Sequence, residues 1–126
     1  MTLDEVKRII QDFFQENTIT IVGSGLSCAE GMPGMKDLAK ELSLKIPEKL
    51  SDPEDIRSWS DIAMSLFAEK GLEQALHDTK PTPTIEEHIR KITAQYIGKA
   101  EKVVLRDIVN NHRELRFSNY LKCFTL

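Results

Sequence analysis

The fold prediction depends on residues 18–27, which read Thr18-Ile19-Thr20-Ile21-Val22 and then Gly23-Ser24-Gly25-Leu26-Ser27. The first five residues are β-branched throughout, and an apolar run this short is typical of a buried strand. Two glycines end the run, and a helix turn is expected to follow as far as Ala29. The stretch therefore predicts a central strand that turns directly into the N-terminus of a helix.

A strand, a glycine turn and a helix start together form a geometry that binds phosphate, because backbone N–H groups point at the anion. Gly23 and Gly25 leave room for the ligand to approach the backbone, while Ser24 and Ser27 offer hydroxyl donors. The usual dinucleotide fingerprint is not met, since Cys28 stands where its third glycine belongs. No Gly-Lys-Ser/Thr follows, so the turn is not a P-loop either.

A longer pattern resembles the signature of the sirtuin family: Gly, small, Gly, aliphatic, Ser, three variable residues, then Gly, aliphatic, Pro. The resemblance implies an α/β, Rossmann-like fold of the sirtuin type, of which this chain is a helix-rich N-terminal portion with few strands. It also implies that the loop lies over the diphosphate of NAD and the ribose next to nicotinamide. The residues that carry this match are Gly23, Ser24, Gly25, Leu26, Ser27, Gly31, Met32 and Pro33.

The residues after the proline depart from the protein deacylases of the family, which have Asp-Phe-Arg there. This chain has Gly34, Met35 and Lys36, and a lysine does not replace a stacked or bidentate arginine. The family's zinc site needs four cysteines, whereas only Cys28 and Cys123 are present. We therefore expect no metal and no deacylase activity. The sequence looks more like the divergent bacterial sirtuin-like domains of antiviral defence, which bind or hydrolyse NAD.

No catalytic residue is assigned. Sirtuin-like catalysis uses a Thr-Asn-Tyr-Asp-like run after a later strand, with a histidine beyond it. Ser118-Asn119-Tyr120 is similar, but Leu121 stands where the acid belongs. We expect the catalytic residues beyond Leu126, in a longer protein, and no turnover by this chain alone.

The rest of the chain predicts helices within a single unit over residues 1–126. Residues 18–44 form the nucleotide-binding strand, loop and helix, and residues 47–112 form a helical insert, in which Trp59 is expected to have a core or domain-packing role. Before them, apolar residues recur at helical spacing from Leu3 to Phe14. Capping boxes are predicted at Thr2 with Glu5, and at Thr84 with Glu87.

Composition narrows the choice of partner and compartment. Hydrophobic residues make up 40% of the 126, charged residues 29%, and the net charge is -3. This balance argues against disorder and against nucleic-acid binding through bulk charge. There is no basic, apolar leader or membrane-length apolar run, and two unpaired thiols suit a reducing compartment. We expect a cytoplasmic location. The histidines His77, His88 and His112 are expected to lie at or near the surface without a ligand role.

The leading hypothesis is the NAD-binding part of a sirtuin-like NAD hydrolase, with a role in antiviral defence implied by the resemblance. One alternative is a helical interaction or oligomerisation domain whose glycine loop is purely structural. Another is a sensor that binds NAD or ADP-ribose without hydrolysis. Expected partners are thus NAD or ADP-ribose, a second copy of the chain, or the remainder of a longer protein.

Overall fold

The computed structural model describes residues 1–13, 21–111, 113–116 and 118, and its regular structure is helical throughout. A short 3-10 turn, Pro47–Lys49, separates the third and fourth α-helices. The six α-helices in this part of the chain are α1 (Leu3–Phe13), α2 (Ser24–Ala29), α3 (Met35–Lys45), α4 (Pro53–Phe67), α5 (Leu72–Asp78) and α6 (Pro83–Asn110).

The prediction of an α/β, Rossmann-like fold is wrong: no strand occurs among the described residues. Residues 18–20 of the predicted strand lie outside the described part, whereas Ile21 and Val22 are outside any strand and 92% and 55% exposed. A strand needs neighbours to pair its backbone N–H and C=O groups. The buried apolar residues of the described part pack helix against helix instead. The predicted helix after the glycines is confirmed, since α2 begins at Ser24.

Helices α3 to α6 share one core. Its buried members are Leu42, Ile46, Trp59, Ile62, Leu72, Ala75, Ile85 and Ile92. The core position predicted for Trp59 is confirmed, since its side chain is 4% exposed. Helix α3, which follows residues 23–33, therefore packs on the same core as the helices of the predicted insert. This packing fixes α3 against α6, the two helices that flank the candidate site.

The start of α1 follows the predicted capping box. The backbone N–H of Thr2 donates to Glu5 Oε2 at 2.7 Å, and the N–H of Glu5 donates to Thr2 Oγ1 at 3.3 Å. Although α1 is amphipathic, Leu3 and Ile9 on it are 71% and 47% exposed. The apolar face of α1 is thus only partly covered by the described residues.

The start of α6 differs from the prediction. The capping box at Thr84 and Glu87 is wrong, because α6 begins at Pro83 and its N-cap is Thr82. The Thr82 hydroxyl accepts the N–H of Ile85 at 3.4 Å and donates to Asp55 Oδ1 at 2.6 Å. Proline suits the first helical position, so the capping residue is the one before it.

Within the part of the chain described, no helix is both long and apolar enough to span a bilayer.

Candidate functional site

The glycine turn is an exposed helix start. Gly23 is the N-cap of α2, with extended backbone at φ -108° and ψ 179° and no side-chain cap. The N–H of Leu26 donates to the Gly23 carbonyl at 3.1 Å, which closes the first turn. The first N–H groups of a helix have no partner within it, so those of Ser24 and Gly25 point out of the exposed helix end. Backbone N–H donors are thus exposed at the position where the sequence predicted a phosphate-binding turn.

Gly23 and Gly25 have no packing reason to be glycine. A Cβ built at either position meets no heavy atom within 4 Å, and neither residue has a positive φ. Gly31 is different: its φ is +103°, and a Cβ there would lie 3.4 Å from Val104 Cγ2 on α6. Gly31 is therefore required by the fold, whereas the first two glycines leave open surface above the backbone.

The chain folds back after α2 and brings the two halves of the predicted motif together. The Ser27 carbonyl accepts the N–H groups of Glu30 and Met32, both at 3.1 Å. The Cys28 carbonyl accepts the N–H of Gly31 at 3.0 Å. Residues 31–33 therefore lie against the C-terminal end of α2 and form one wall of an adjacent groove.

This groove, of about 630 Å³, lies between residues 28–33, α3 and α6 and is open to solvent. We call it the α3–α6 groove. Of the predicted site residues it contains Gly31, Met32 and Pro33, while those from Gly23 to Ser27 lie outside it. Its other lining residues are Cys28, Asp37, Glu41, Lys45, Tyr96, Lys99, Ala100 and Val103.

Sequence reasoning missed the lining residues from α3 and α6. The motif of residues 23–33 contains neither Tyr96 nor Asp37. No local signal could have linked them to the loop, because they are brought to it by packing of α3 on α6. Cys28, which stands where the dinucleotide fingerprint has its third glycine, is exposed and lines the groove.

Charges within the α3–α6 groove are partly paired. Asp37 Oδ2 accepts the Gly34 N–H at 3.1 Å, which fixes this carboxylate at the start of α3. Glu41 forms an ion pair with Lys45 one turn further along the helix. Lys99, on α6, is exposed. The groove thus combines an aromatic ring, two carboxylates and two ammonium groups.

Two arginines after α6 hold the C-terminal end of α2. Arg113 Nη1 donates to Glu30 Oε2 at 3.1 Å, and its Nη2 donates to the Glu30 carbonyl at 3.2 Å. Arg116 Nη1 donates to the Ala29 carbonyl at 2.6 Å. Cations at a helix C-terminus satisfy its free carbonyls and suit its negative end. These contacts tie the C-terminal end of α2 to the residues that follow α6.

Asp107, near the end of α6, completes this connection. It accepts hydrogen bonds from Arg113 and Asn111, and these bonds, the one from Arg113 first, hold the pKa of its carboxyl below the ordinary value of 3.8. The same contacts, with Asp107 before Glu30, raise the pKa of the Arg113 guanidinium. Arg113 therefore bridges α6 and α2 as a permanent cation.

The histidines, and the residues that resemble the catalytic run of the family, do not line the candidate site in the described part of the chain. The side chain of His77 is 84% exposed and that of His88 is half-buried, while His112, Asn119 and Tyr120 lie outside the described residues. In the described part, no group of three or more His, Cys, Asp or Glu residues is arranged to hold a metal.

Comparison with protein-family models, with curated proteins and with solved structures gave no match. The resemblance of residues 23–33 to the sirtuin signature therefore stays a prediction from the sequence.

Proposed function

We propose that residues 23–33 bind the diphosphate of NAD, and that the chain is the NAD-binding part of a sirtuin-like NAD hydrolase. The observation that carries the proposal is the open space above Gly23 and Gly25. Neither their backbone angles nor their neighbours require a glycine, and the open space above them would let a ligand approach the backbone. The residues proposed to contact it are Gly23, Ser24, Gly25, Leu26, Ser27, Gly31, Met32 and Pro33.

The structure changes how this site would work. In a sheet-based cradle the preceding strand anchors the loop, whereas here contacts to α6 and to the arginines beyond it support the C-terminal end of α2. We therefore propose an NAD-binding loop that is supported by packing against helices and not by a strand. Catalytic groups for cleavage of the bond between nicotinamide and ribose are assigned to no residue of this chain.

The test is calorimetry of NAD and ADP-ribose against Gly25→Val. The added side chain would occupy the space through which the diphosphate reaches the N–H groups, so binding should be abolished. Ser27→Ala should weaken binding less, because it removes one neutral hydrogen bond worth about 0.5–1.5 kcal/mol. Far-UV circular dichroism checks that both variants keep the wild-type helix content.

The matched control is Gly98→Val. Gly98 is also helical, also has no heavy atom within 4 Å of a built Cβ, and does not line the α3–α6 groove. It should retain wild-type affinity. Unchanged affinity in a folded Gly25→Val would reduce the glycine loop to a structural turn. If Gly25→Val loses helix content, Gly25→Ala replaces it in the same titration. If the full-length protein binds NAD and ADP-ribose but releases no nicotinamide, the result would instead favour a sensor that binds these ligands without hydrolysis.

A second candidate function, self-association of a helical domain, is favoured by an apolar groove on another face. This groove, of about 850 Å³, lies between α3, the C-terminal end of α4 and the start of α5. Met35, Leu44 and Phe67 line it and are 55%, 71% and 94% exposed. Exposed apolar patches of this kind often mark an interface between proteins. Light scattering of the chain decides it: a dimer that Phe67→Glu converts to a monomer supports this function.

A further inference from the structure

The apolar groove beside α3, which Met35, Leu44 and Phe67 line, has the length of a short helix. We call it the α3–α4 groove. Its lining residues on α3 run from Met35 to Leu44, a distance of about 14 Å along the helix axis. Leu66 adds apolar surface from the opposite wall. A helix of about three turns with one apolar face therefore fits this groove.

The two walls of the α3–α4 groove carry unpaired charges of opposite sign. On α3, Lys36 and Lys40 lie one turn apart and are exposed. On the other wall, Glu69 is exposed, while Lys70 is bonded to Asp78 at 3.0 Å. Among the described residues, Lys36, Lys40 and Glu69 form no ion pair. The groove therefore suits a helix that is acidic along one edge of its apolar face and basic along the other.

Helix α1 has this pattern of charge and this length. Its 11 residues extend for about 16 Å. At about 100° per residue, Glu5 and Asp12 lie along one edge of its apolar face and Lys7 lies along the other. All three charged side chains are exposed. The apolar face itself includes Leu3, Val6, Ile9 and Ile10.

The groove is not covered by the α1 of its own chain. No residue of α1 lines it, and Leu3 and Ile9 are 71% and 47% exposed. A contact between the grooves of two copies is disfavoured, because it would bring Lys36 and Lys40 of one copy close to those of the other. Each chain thus has an exposed helix face and an open groove that match each other in length and in charge.

We propose that α1 of a second copy binds in the α3–α4 groove. Glu5 and Asp12 of that helix face the two lysines of α3, and its basic edge faces Glu69. Because each copy offers one helix and one groove, the contact is reciprocal and closes as a two-fold dimer. This inference rests on the second candidate function, self-association, and names the segment that carries it.

The first experiment is light scattering of the chain over a series of concentrations, in which we expect the wild type to dimerise. Ile9→Gln removes apolar contact from the helix and Phe67→Glu removes it from the groove, so each should weaken the dimer about tenfold or more. The matched control is Arg8→Gln, on the opposite face of α1, which should keep the dimer affinity within about twofold. Circular dichroism checks that the variants keep the wild-type helix content.

The second experiment reverses charges and identifies the partner helix. Lys36→Glu with Lys40→Glu should weaken the dimer about three- to tenfold, because like charges then meet along α1. Adding Asp12→Lys should recover about threefold or more of that loss. Adding Asp61→Lys makes the same change of net charge on α4, outside the groove, and should recover nothing. If Ile9→Gln loses helix content, this experiment decides the role of α1.

The outcomes separate this inference from the functions proposed above. A dimer that Phe67→Glu dissociates, but that Ile9→Gln and the charge reversals leave intact, would overturn the role of α1 while self-association stands. A wild type that is monomeric at every concentration would overturn both this inference and the second candidate function. Neither result bears on the NAD-binding loop, which Gly25→Val tests by calorimetry.

Discussion

Gly31 shows how one residue sets the path of the loop. Its φ of +103° is a backbone conformation that L-residues rarely adopt, and a Cβ there would be in van der Waals contact with Val104 Cγ2 at 3.4 Å. The sequence named Gly31 as a ligand-side residue, whereas the structure gives it a conformational reason as well. The partners of Gly31 on α6 could not be predicted, because Val104 is far away in the chain and close only after packing.

We expect Gly31→Ala to destabilise the protein by about 1–2 kcal/mol, the cost of a left-handed backbone for an L-residue. Chemical denaturation followed by circular dichroism measures it. Gly25→Ala is the control: it lies in a helix with open space around its Cβ, so it should be neutral or slightly stabilising. Equal stability of the two variants would contradict the strain assigned to residue 31.

At the scale of elements, Thr82 joins two helices through one hydroxyl. It caps α6 through the Ile85 N–H and donates to Asp55 in the first turn of α4. Periodicity and capping rules predicted that a helix begins near this point, but they chose Thr84. The difference arises because Pro83 occupies the first helical position, and the bond to Asp55 is a tertiary contact that no local rule contains.

Thr82→Val should lower the free energy of unfolding by about 1–2 kcal/mol, because it removes the cap and leaves the Asp55 carboxylate without this donor. Thr82→Ser keeps the hydroxyl and should lose about half of that or less. Thermal or urea unfolding of both variants provides the comparison. A loss in Thr82→Ser as large as in Thr82→Val would show that the methyl group, and not the hydroxyl, matters.

The predicted strand is wrong at the described residues Ile21 and Val22 because the prediction used only local sequence, whereas a strand needs partner strands. A β-branched run records only a local preference, while a strand exists only with partners. Helices carry their own hydrogen bonds, so α1, α3 and α4 could be predicted from periodicity and caps alone. For Ile21 and Val22, the structure offers no neighbouring strand within the described residues.

At the scale of the whole molecule, Arg113 joins the C-terminal end of α2 to α6 through the carboxylates of Glu30 and Asp107. The pKa of the Asp107 carboxyl is lowered in the folded chain, chiefly by the hydrogen bond from Arg113. A lowered carboxyl pKa stabilises the fold at all pH values above the ordinary 3.8, and that contribution is lost as the pH falls through the depressed value. The connection between α6 and α2 should therefore weaken below about pH 4.

Melting temperatures between pH 6 and pH 2.5 test this expectation. Asp107→Asn should lower the melting temperature at pH 6 and reduce the difference between pH 6 and pH 2.5. Asp61→Asn, which changes an exposed carboxylate on α4, should leave the wild-type dependence in place. An Asp107→Asn profile that runs parallel to the wild type over the whole range would rule out this carboxylate as a source of acid sensitivity.

Helix α6 extends from the core to Gly31, so a change in its packing at one end would be transmitted to the other. It is 28 residues long and is buried in the core at Ile85 and Ile92, whereas Val104 lies against Gly31. Ile92 and Val104 are about 18 Å apart along the axis, so a tilt of about 10° at Ile92 would displace Val104 by about 3 Å. A tilt of that size at the core would therefore change the width of the α3–α6 groove by roughly the length of a hydrogen bond.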